Sequence, residues 1–278
     1  MKRRFIQCDV FTAVPGRGNG LAVVVDGEGL DDAAMQRFAT WTNLAETTFL
    51  LPPTDPSADY ALRIFTTTRE LPFAGHPTLG SCAAWLHTGG RPRDARTVRQ
   101  ECGVGIVEID ISGAVPAFVA PPTRISPLEP ERLAEALAAL RIAPGDVVRS
   151  ARLVNGPVWD AIELSSAAAV LAADPTGASF PEERPIGLIG PHEAGAETDY
   201  EVRMIDIWHN IKEDPITGSL NAAIACWMRD EGRLRVSATV AQGTKIGRLG
   251  RVHIRAGDGD RVLIGGETQI LIEGTLDY

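Results

Sequence analysis

Cysteine is scarce and scattered in this chain: four (Cys8, Cys82, Cys102 and Cys226) in 278 residues, with no Cys-x-x-Cys pair. That spacing excludes a disulfide scaffold and a zinc ribbon and predicts reduced, mostly buried thiols. The five histidines (His76, His87, His192, His209 and His253) show no ligand spacing with one another or with cysteine, so no metal is expected. No apolar run approaches the ~18 residues of a membrane span. The basic start at Lys2, Arg3 and Arg4 leads into neither an apolar segment nor a cleavage site, and Asp9 comes early, so a cytoplasmic location without a signal peptide is expected. Basic excess is missing too. The chain has 27 Lys and Arg against 36 Asp and Glu, a net charge of −9, which excludes nucleic acid and anionic membranes as partners. Walker A, Rossmann, Gly-x-Ser-x-Gly and His-Glu-x-x-His patterns are all absent, and the glycine-rich stretch 243–250 has the wrong spacing for a phosphate loop.

What is there suits a globular protein with 44% hydrophobic and 23% charged residues, long enough for one large domain or two medium ones. Residues 5–10 and 21–25 read as strands around a Gly/Pro/Asn loop. Residues 31–42 carry helical spacing at Ala34, Phe38 and Trp41, with acidic residues in the first turn. Strand composition returns at 47–51 and 60–66, a helix is predicted over 78–87, and residues 98–111 suggest a bent strand pair. Residues 116–130 contain five prolines and read as a linker. Beyond it the order recurs: a helix over 131–140, strands at 158–164 and 200–207, a turn, a helix to about 229, and strands at 236–243, 251–255 and 268–274. The recurrence favours a duplicated α+β fold over one wound parallel sheet.

Two turns carry the chemistry. Pro215, Thr217, Gly218 and Ser219 lead into a small, apolar, helix-forming run, and Pro72, Gly75, His76 and Pro77 do the same upstream. Each aims helix N-terminal N–H groups at one point, and together they could hold a small carboxylate. His76 lies between Gly75 and Pro77, with Pro77 suited to the first helical position. The helix dipole there would keep the imidazole neutral; a cap or a satisfied core histidine is the plainer alternative. Glu46 has two readings. In one it closes a capping box with Asn43 as N-cap. In the other, strand-like residues after it desolvate the carboxylate, raise its pKa and suit it to proton transfer. Asp214 could simply complement the dipole and Ser219 could simply cap.

These residues resemble the phenazine-biosynthesis isomerase-like family, relatives of diaminopimelate epimerase and proline racemase. The matching elements are Asp9-Val-Phe-Thr12, Gly18-Asn19, Asn43-Leu-Ala-Glu-Thr-Thr-Phe49, Gly75-His-Pro-Thr-Leu79, Glu213-Asp-Pro-Ile-Thr-Gly-Ser219, Gln242-Gly243 and Gly265-Gly266. They run from end to end in order. The resemblance implies a diaminopimelate epimerase-like α+β fold of two pseudo-symmetric domains, each a barrel-like sheet around a central helix. The domains would be residues 1–120, joined by a returning strand at 265–278, and residues 121–264. It implies that Glu46 is the acid/base, with His76, Asp214 and Ser219 in support and N–H groups near Gly75 and Gly218 binding a substrate carboxylate. It further implies no cofactor, no metal and a homodimer. The implied reaction is a cofactor-free proton shift like that of trans-2,3-dihydro-3-hydroxyanthranilate isomerase. A racemase, epimerase or lyase without the thiol pair, or a non-catalytic carboxylate binder, stays open beside it. Neither turn contains the cysteine that two-thiol racemases of this superfamily use. Departures at Gly20, Leu220, Asn221, Trp208, His209 and Leu249 bear on the substrate.

Overall fold

The computed structural model of the chain describes residues 1–208, 211–234 and 236–278. They form two compact units, Met1–Val119 with Gly265–Tyr278, and Ala120–Ile264. The first contains β1 (Lys2–Val10), β2 (Asn19–Val24), α1 (Asp32–Thr42), β3 (Glu46–Leu51), β4 (Tyr60–Thr66), β5 (Glu70–Leu71), α2 (Gly75–His87), β6 (Thr97–Cys102), β7 (Gly105–Asp110) and β8 (Ala117–Val119). The second contains β9 (Arg124–Ser126), α3 (Pro130–Ala139), β10 (Val147–Val154), β11 (Val158–Leu164), α4 (Ala167–Ala172), β12 (Arg184–Pro191), β13 (Tyr200–Ile207), β14 (Ile211–Asp214), α5 (Gly218–Asp230), β15 (Ser237–Gln242), β16 (Gly250–Ala256) and most of β17 (Val262–Gly265). The last strand, β18 (Thr268–Asp277), belongs to the first unit and pairs antiparallel with β1.

The α+β class is as expected, and the duplication extends to the ladders. In the first unit β1–β2 is antiparallel, β2–β3 parallel, β3–β4 and β4–β5 antiparallel, β4–β6 parallel and β6–β7 antiparallel. In the second, the same sequence of pairings runs through β10–β11, β11–β12, β12–β13, β13–β14, β13–β15 and β15–β16. Each parallel step needs a crossover, and a helix fills it: α1 and α2 in one unit, α4 and α5 in the other. The registers superimpose residue by residue. Tyr60 and Tyr200 occupy one position, as do Leu71 and Asp214, since Leu71 pairs with Ile64 and Asp214 with Met204 four residues further along each strand.

In the first unit α2 is the central helix. It packs against β1, β2, β3, β6, β8 and β18, and its small residues let it sit close. A Cβ at Gly80 would meet Leu21 Cδ2 at 2.6 Å and Val10 Cγ2 at 2.9 Å. The other face of the sheet is covered by α1, whose buried stripe is Met35, Phe38 and Ala39. Phe38, Phe49 and Phe65 meet edge to face there, and Leu276 and Tyr278 close the cluster. The expectation of Trp41 on that stripe is corrected: it is 77% exposed and stacks on Phe38 from outside. In the second unit α5 is almost wholly buried against β10 and β16. Outside the sheet, α3 and α4 pack a core with Ile162, Leu164, Ile186 and Leu188.

Candidate functional site

In the first unit the candidate residues converge at the ends of β2, β3 and α2. Asn43 ends α1 in the left-handed conformation, φ 55°, so the capping-box reading of Asn43 and Glu46 is wrong: Asn43 closes one helix and Glu46 opens β3. Parallel pairing sets Glu46 beside Leu21, with Asn19 two residues before it on β2. The helix begins at Gly75, three residues earlier than its apolar run suggests, so Pro77 is the third helical residue and not the first. His76 Nε2 lies 3.4 Å from Glu46 Oε2, with the two side chains 5% and 17% exposed. Asn19 Nδ2 lies 3.4 Å from His76 Nδ1. With the amide as donor, Nδ1 accepts, and the ring proton sits on Nε2, facing the carboxylate. Burial pushes His76 down to about 3, so the ring is neutral at physiological pH. The expected neutrality therefore has a cause, burial, other than the helix dipole first invoked for it.

Behind this group the polar chain is closed. Thr78 Oγ1 donates to Ala74 O at 2.9 Å, Gln100 Nε2 to Thr78 Oγ1 at 3.1 Å and Tyr60 OH to Gln100 Oε1 at 3.0 Å. The N-cap of α2 is Ala74, which has no side-chain acceptor. The first-turn N–H groups of Gly75 and His76 thus have no side-chain cap, the arrangement that favours an anion.

In the second unit Asp214 ends β14 and α5 starts at Gly218, with Thr217 rather than Ser219 as N-cap. Thr217 does not cap its own helix. Its Oγ1 donates to Asp214 Oδ2 at 2.5 Å, again leaving the first turn without a side-chain cap. Gly218 and Ser219 form that first turn, and Ser219 O accepts from Asn155 Nδ2 at 2.7 Å. Gln242 and Asn221, both buried, complete a network around Thr217. Gly243, at φ 83°, is required after Gln242, because a Cβ there would meet Pro215 O at 2.6 Å. On the opposite side of β14, Glu213 forms a two-pronged pair with Arg203, at 2.8 and 3.0 Å, and Arg203 also donates to Val170 O and Ala173 O at the end of α4. That buried pair fixes the strand that delivers Asp214.

Glu46, His76 and Gly75 therefore come together in one unit, and Asp214, Gly218 and Ser219 in the other. Trp208 is 42% exposed, and His209 lies outside the described residues. Asn19, Thr217, Asn221 and Gln242 received no role from the sequence, although Gly18-Asn19 and Gln242-Gly243 stood out as motifs; the amides of Asn19 and Gln242 find their partners 21 to 57 residues away. Among the described residues no three His, Cys, Asp or Glu side chains gather as a metal cluster, and no helix is long and apolar enough to cross a membrane.

Three comparisons bear on this geometry. Residues 8–274 match the family model described as "Phenazine biosynthesis-like protein". A protein of Schizosaccharomyces pombe named antisense-enhancing sequence 1 is 34% identical over 97% of either chain. Trans-2,3-dihydro-3-hydroxyanthranilate isomerase of Pseudomonas aeruginosa is 33% identical over 93% of this chain and 92% of its own. Among solved structures, a PhzF-family phenazine biosynthesis protein of Bacillus anthracis matches all of both chains with a TM-score of 0.84 at 20% identity, a likeness of fold.

Proposed function

This chain belongs to the phenazine biosynthesis-like protein family, and from that premise we propose that it is an isomerase that moves one proton within a small cyclic or amino-acid-like carboxylate. The observation that carries the reading is the Glu46–His76 pair. A carboxylate 17% exposed faces the N–H side of a buried neutral imidazole at 3.4 Å, next to an uncapped helix N-terminus suited to a substrate carboxylate. Glu46, as carboxylate, takes a proton from one carbon of a conjugated substrate. The electron pair shifts along the π-system, and Glu46 returns the same proton at another carbon. One group serves as base and then acid, so atoms and charge balance without a second proton carrier. Neutral His76, its Nε2 3.4 Å from Glu46 Oε2, stays out of the proton count. In the first unit Gly75 is the source of backbone N–H groups for the substrate carboxylate, and in the second Gly218 and Ser219, supported by Asp214, form the matching group. The reaction calls for no cofactor or metal.

The named relative points to trans-2,3-dihydro-3-hydroxyanthranilate as the first compound to test. Proton NMR in D₂O, with wild type and Glu46→Gln, reads both double-bond migration and deuterium entry. Migration with wild type and its loss in the variant supports the reaction and the role of Glu46. Binding without migration sinks the substrate. Equal turnover by both proteins sinks the role of Glu46. We also propose a homodimer, for which sedimentation equilibrium at twice the 29.7 kDa chain mass is the check.

A further inference from the structure

The network around Thr217 has a direction that its members cannot reverse. The backbone N–H of Thr217 can only donate, and it donates to Gln242 Oε1 at 3.1 Å. Asn221 Nδ2 donates to the same oxygen at 2.8 Å and to Thr217 O at 3.0 Å. Two acceptors face this nitrogen, so Asn221 cannot be flipped, even though its buried Oδ1 finds no hydrogen-bond partner among the described residues. With Oε1 so occupied, Gln242 presents Nε2, which donates to Thr217 Oγ1 at 3.0 Å and to Asp214 O at 3.3 Å. The hydroxyl of Thr217 has one proton. Since its oxygen already accepts, that proton goes to Asp214 Oδ2, at 2.5 Å. The chain from Gln242 Nε2 through the Thr217 hydroxyl therefore ends on the carboxylate, while the bonds to Gln242 Oε1 and Thr217 O fix the orientation of the amides. Glu213, the neighbouring acid, is tied to Arg203 and takes no part.

The duplicated fold supplies an independent control. The matching registers equate Asp214, Thr217, Asn221 and Gln242 with Leu71, Ala74, Thr78 and Cys102. The framework around the turn is retained: Pro72 and Pro215, Gly75 and Gly218, Gly103 and Gly243, where each later glycine makes room for the proline of its own turn. At the fourth position Thr78 donates to Ala74 O as Asn221 does to Thr217 O, but Leu71, Ala74 and Cys102 carry no counterpart of Asp214, Thr217 and Gln242. The first unit thus builds the same turn and the same uncapped helix without those three polar side chains.

We infer that Gln242 and Thr217 are positioning residues forming a one-way hydrogen-bond relay, oriented by Asn221, that holds Asp214 as an ionised, aimed acceptor for an N–H group of the substrate and keeps it from serving as the acid that delivers a proton. A carboxylate has about four acceptor sites, so pinning Oδ2 leaves capacity for such a donor. The substrate-facing part of this inference rests on the proposed isomerase site; the relay itself does not.

The relay is read without substrate. The carbon-13 carboxyl signal of Asp214, assigned by its loss in Asp214→Asn, is titrated in wild type, Thr217→Val and Thr217→Ser. Removing a hydrogen bond to the charged form raises the midpoint, here by about one to two pH units in Thr217→Val. Thr217→Ser keeps the hydroxyl and restores the wild-type midpoint. Gln242→Glu, near-isosteric, offers Thr217 a competing carboxylate, draws the hydroxyl proton away and raises the midpoint as well. A Thr217→Val midpoint equal to wild type, in protein with the wild-type circular dichroism spectrum, overturns the relay and leaves the isomerase reading untouched. The acceptor role is read by calorimetry with 2-aminobenzoate against benzoate. Wild type should prefer the amino compound at least several-fold, and Asp214→Asn should abolish the preference. A preference that survives Asp214→Asn overturns the role.

Discussion

The buried neutral imidazole of His76 makes a prediction about stability that can be worked out without knowing any substrate. In the unfolded chain a histidine takes up a proton near pH 6.5. In the folded protein burial pushes His76 down to about 3. Between those values the unfolded chain holds one more proton than the folded chain, and unfolding free energy rises with pH. The contribution is complete above pH 6.5 and is lost progressively as pH falls toward 3. Each pH unit within the window costs up to about 1.4 kcal/mol, so roughly 2–3 kcal/mol is gone at pH 4.5. The gap across the whole window is an upper bound of about 5 kcal/mol.

The measurement is the difference between wild type and His76→Gln in urea unfolding, followed by far-ultraviolet circular dichroism at pH 7.5, 6.5, 5.5 and 4.5. Other titrating groups are common to both proteins and cancel to first order, and Glu46→Gln in both backgrounds removes the coupling to the nearest carboxylate. The wild-type advantage should shrink on acidification by about 1.4 kcal/mol per pH unit below 6.5. A difference that stays flat from pH 7.5 to 4.5 would refute the burial argument. Nitrogen NMR at neutral pH completes the test, with Nε2 protonated and Nδ1 bare; the opposite assignment would mean that Asn19 does not direct the ring.

Glu46→Gln should lower turnover of a true substrate by about 10²–10⁴-fold, with little change in melting temperature; retention of wild-type rate removes Glu46 from the chemistry. Glu213→Gln strands the buried guanidinium of Arg203, itself 2% exposed, and should destabilise the protein by about 3–5 kcal/mol in chemical denaturation; a loss under 1 kcal/mol would show the pair to be replaceable. Gly243→Ala forces an unfavourable φ of 83° and a Cβ 2.6 Å from Pro215 O, so a cost of about 1–3 kcal/mol is expected in thermal melts. Asn19→Leu removes the donor to His76 Nδ1 and should let both ring tautomers appear in nitrogen NMR; a single unchanged tautomer would assign its control to other contacts.

Much of the fold was legible because its strands carry ordinary strand composition and its turns carry proline and glycine at the right places. β12 was not, and the reason is packing. Pro185, Gly187, Gly190 and Pro191 make it read as loop, yet a Cβ at Gly187 would meet Leu220 Cδ1 at 2.6 Å and one at Gly190 would collide with Ser166 O. Helices α5 and α4 approach that strand so closely that glycine replaces the usual β-branched residues. The start of α2 was missed because Gly75 and Pro77 resemble a loop, although three residues of low helix propensity suffice when the rest of the helix is buried. Trp41 was misplaced because its spacing from Phe38 fits a helical face, while the C-terminal strand, distant in sequence, covers Met35, Phe38 and Ala39 instead. In the site, Glu46 and His76 could be singled out by their neighbours in sequence. Asn19 and Gln242 could not be given roles, because a side-chain amide is read by its partners, and those come from the distant starts of α2 and α5.

The two units show how one framework acquires opposite chemistries. The matching registers make Glu46 of β3 the equivalent of Pro185 of β12, and Asn19 the equivalent of Pro157. The position that holds a carboxylate in one copy has no titratable group in the other. His76 corresponds to Ser219, and Leu71 to Asp214. Each copy keeps an uncapped helix N-terminus, which the shared proline and glycines enforce sterically. Around it, the first copy buries a neutral ring whose Nε2 lies 3.4 Å from a carboxylate oxygen, and the second directs a donor chain through Thr217 onto a carboxylate. The steric and the electrostatic parts of the turn are thus separable. Backbone geometry is fixed by residues that carry no charge, which leaves the side chains beside it free to diverge without loss of the uncapped first-turn N–H groups. That division keeps Glu46 and Asp214 in different surroundings, so their proton affinities can be set independently.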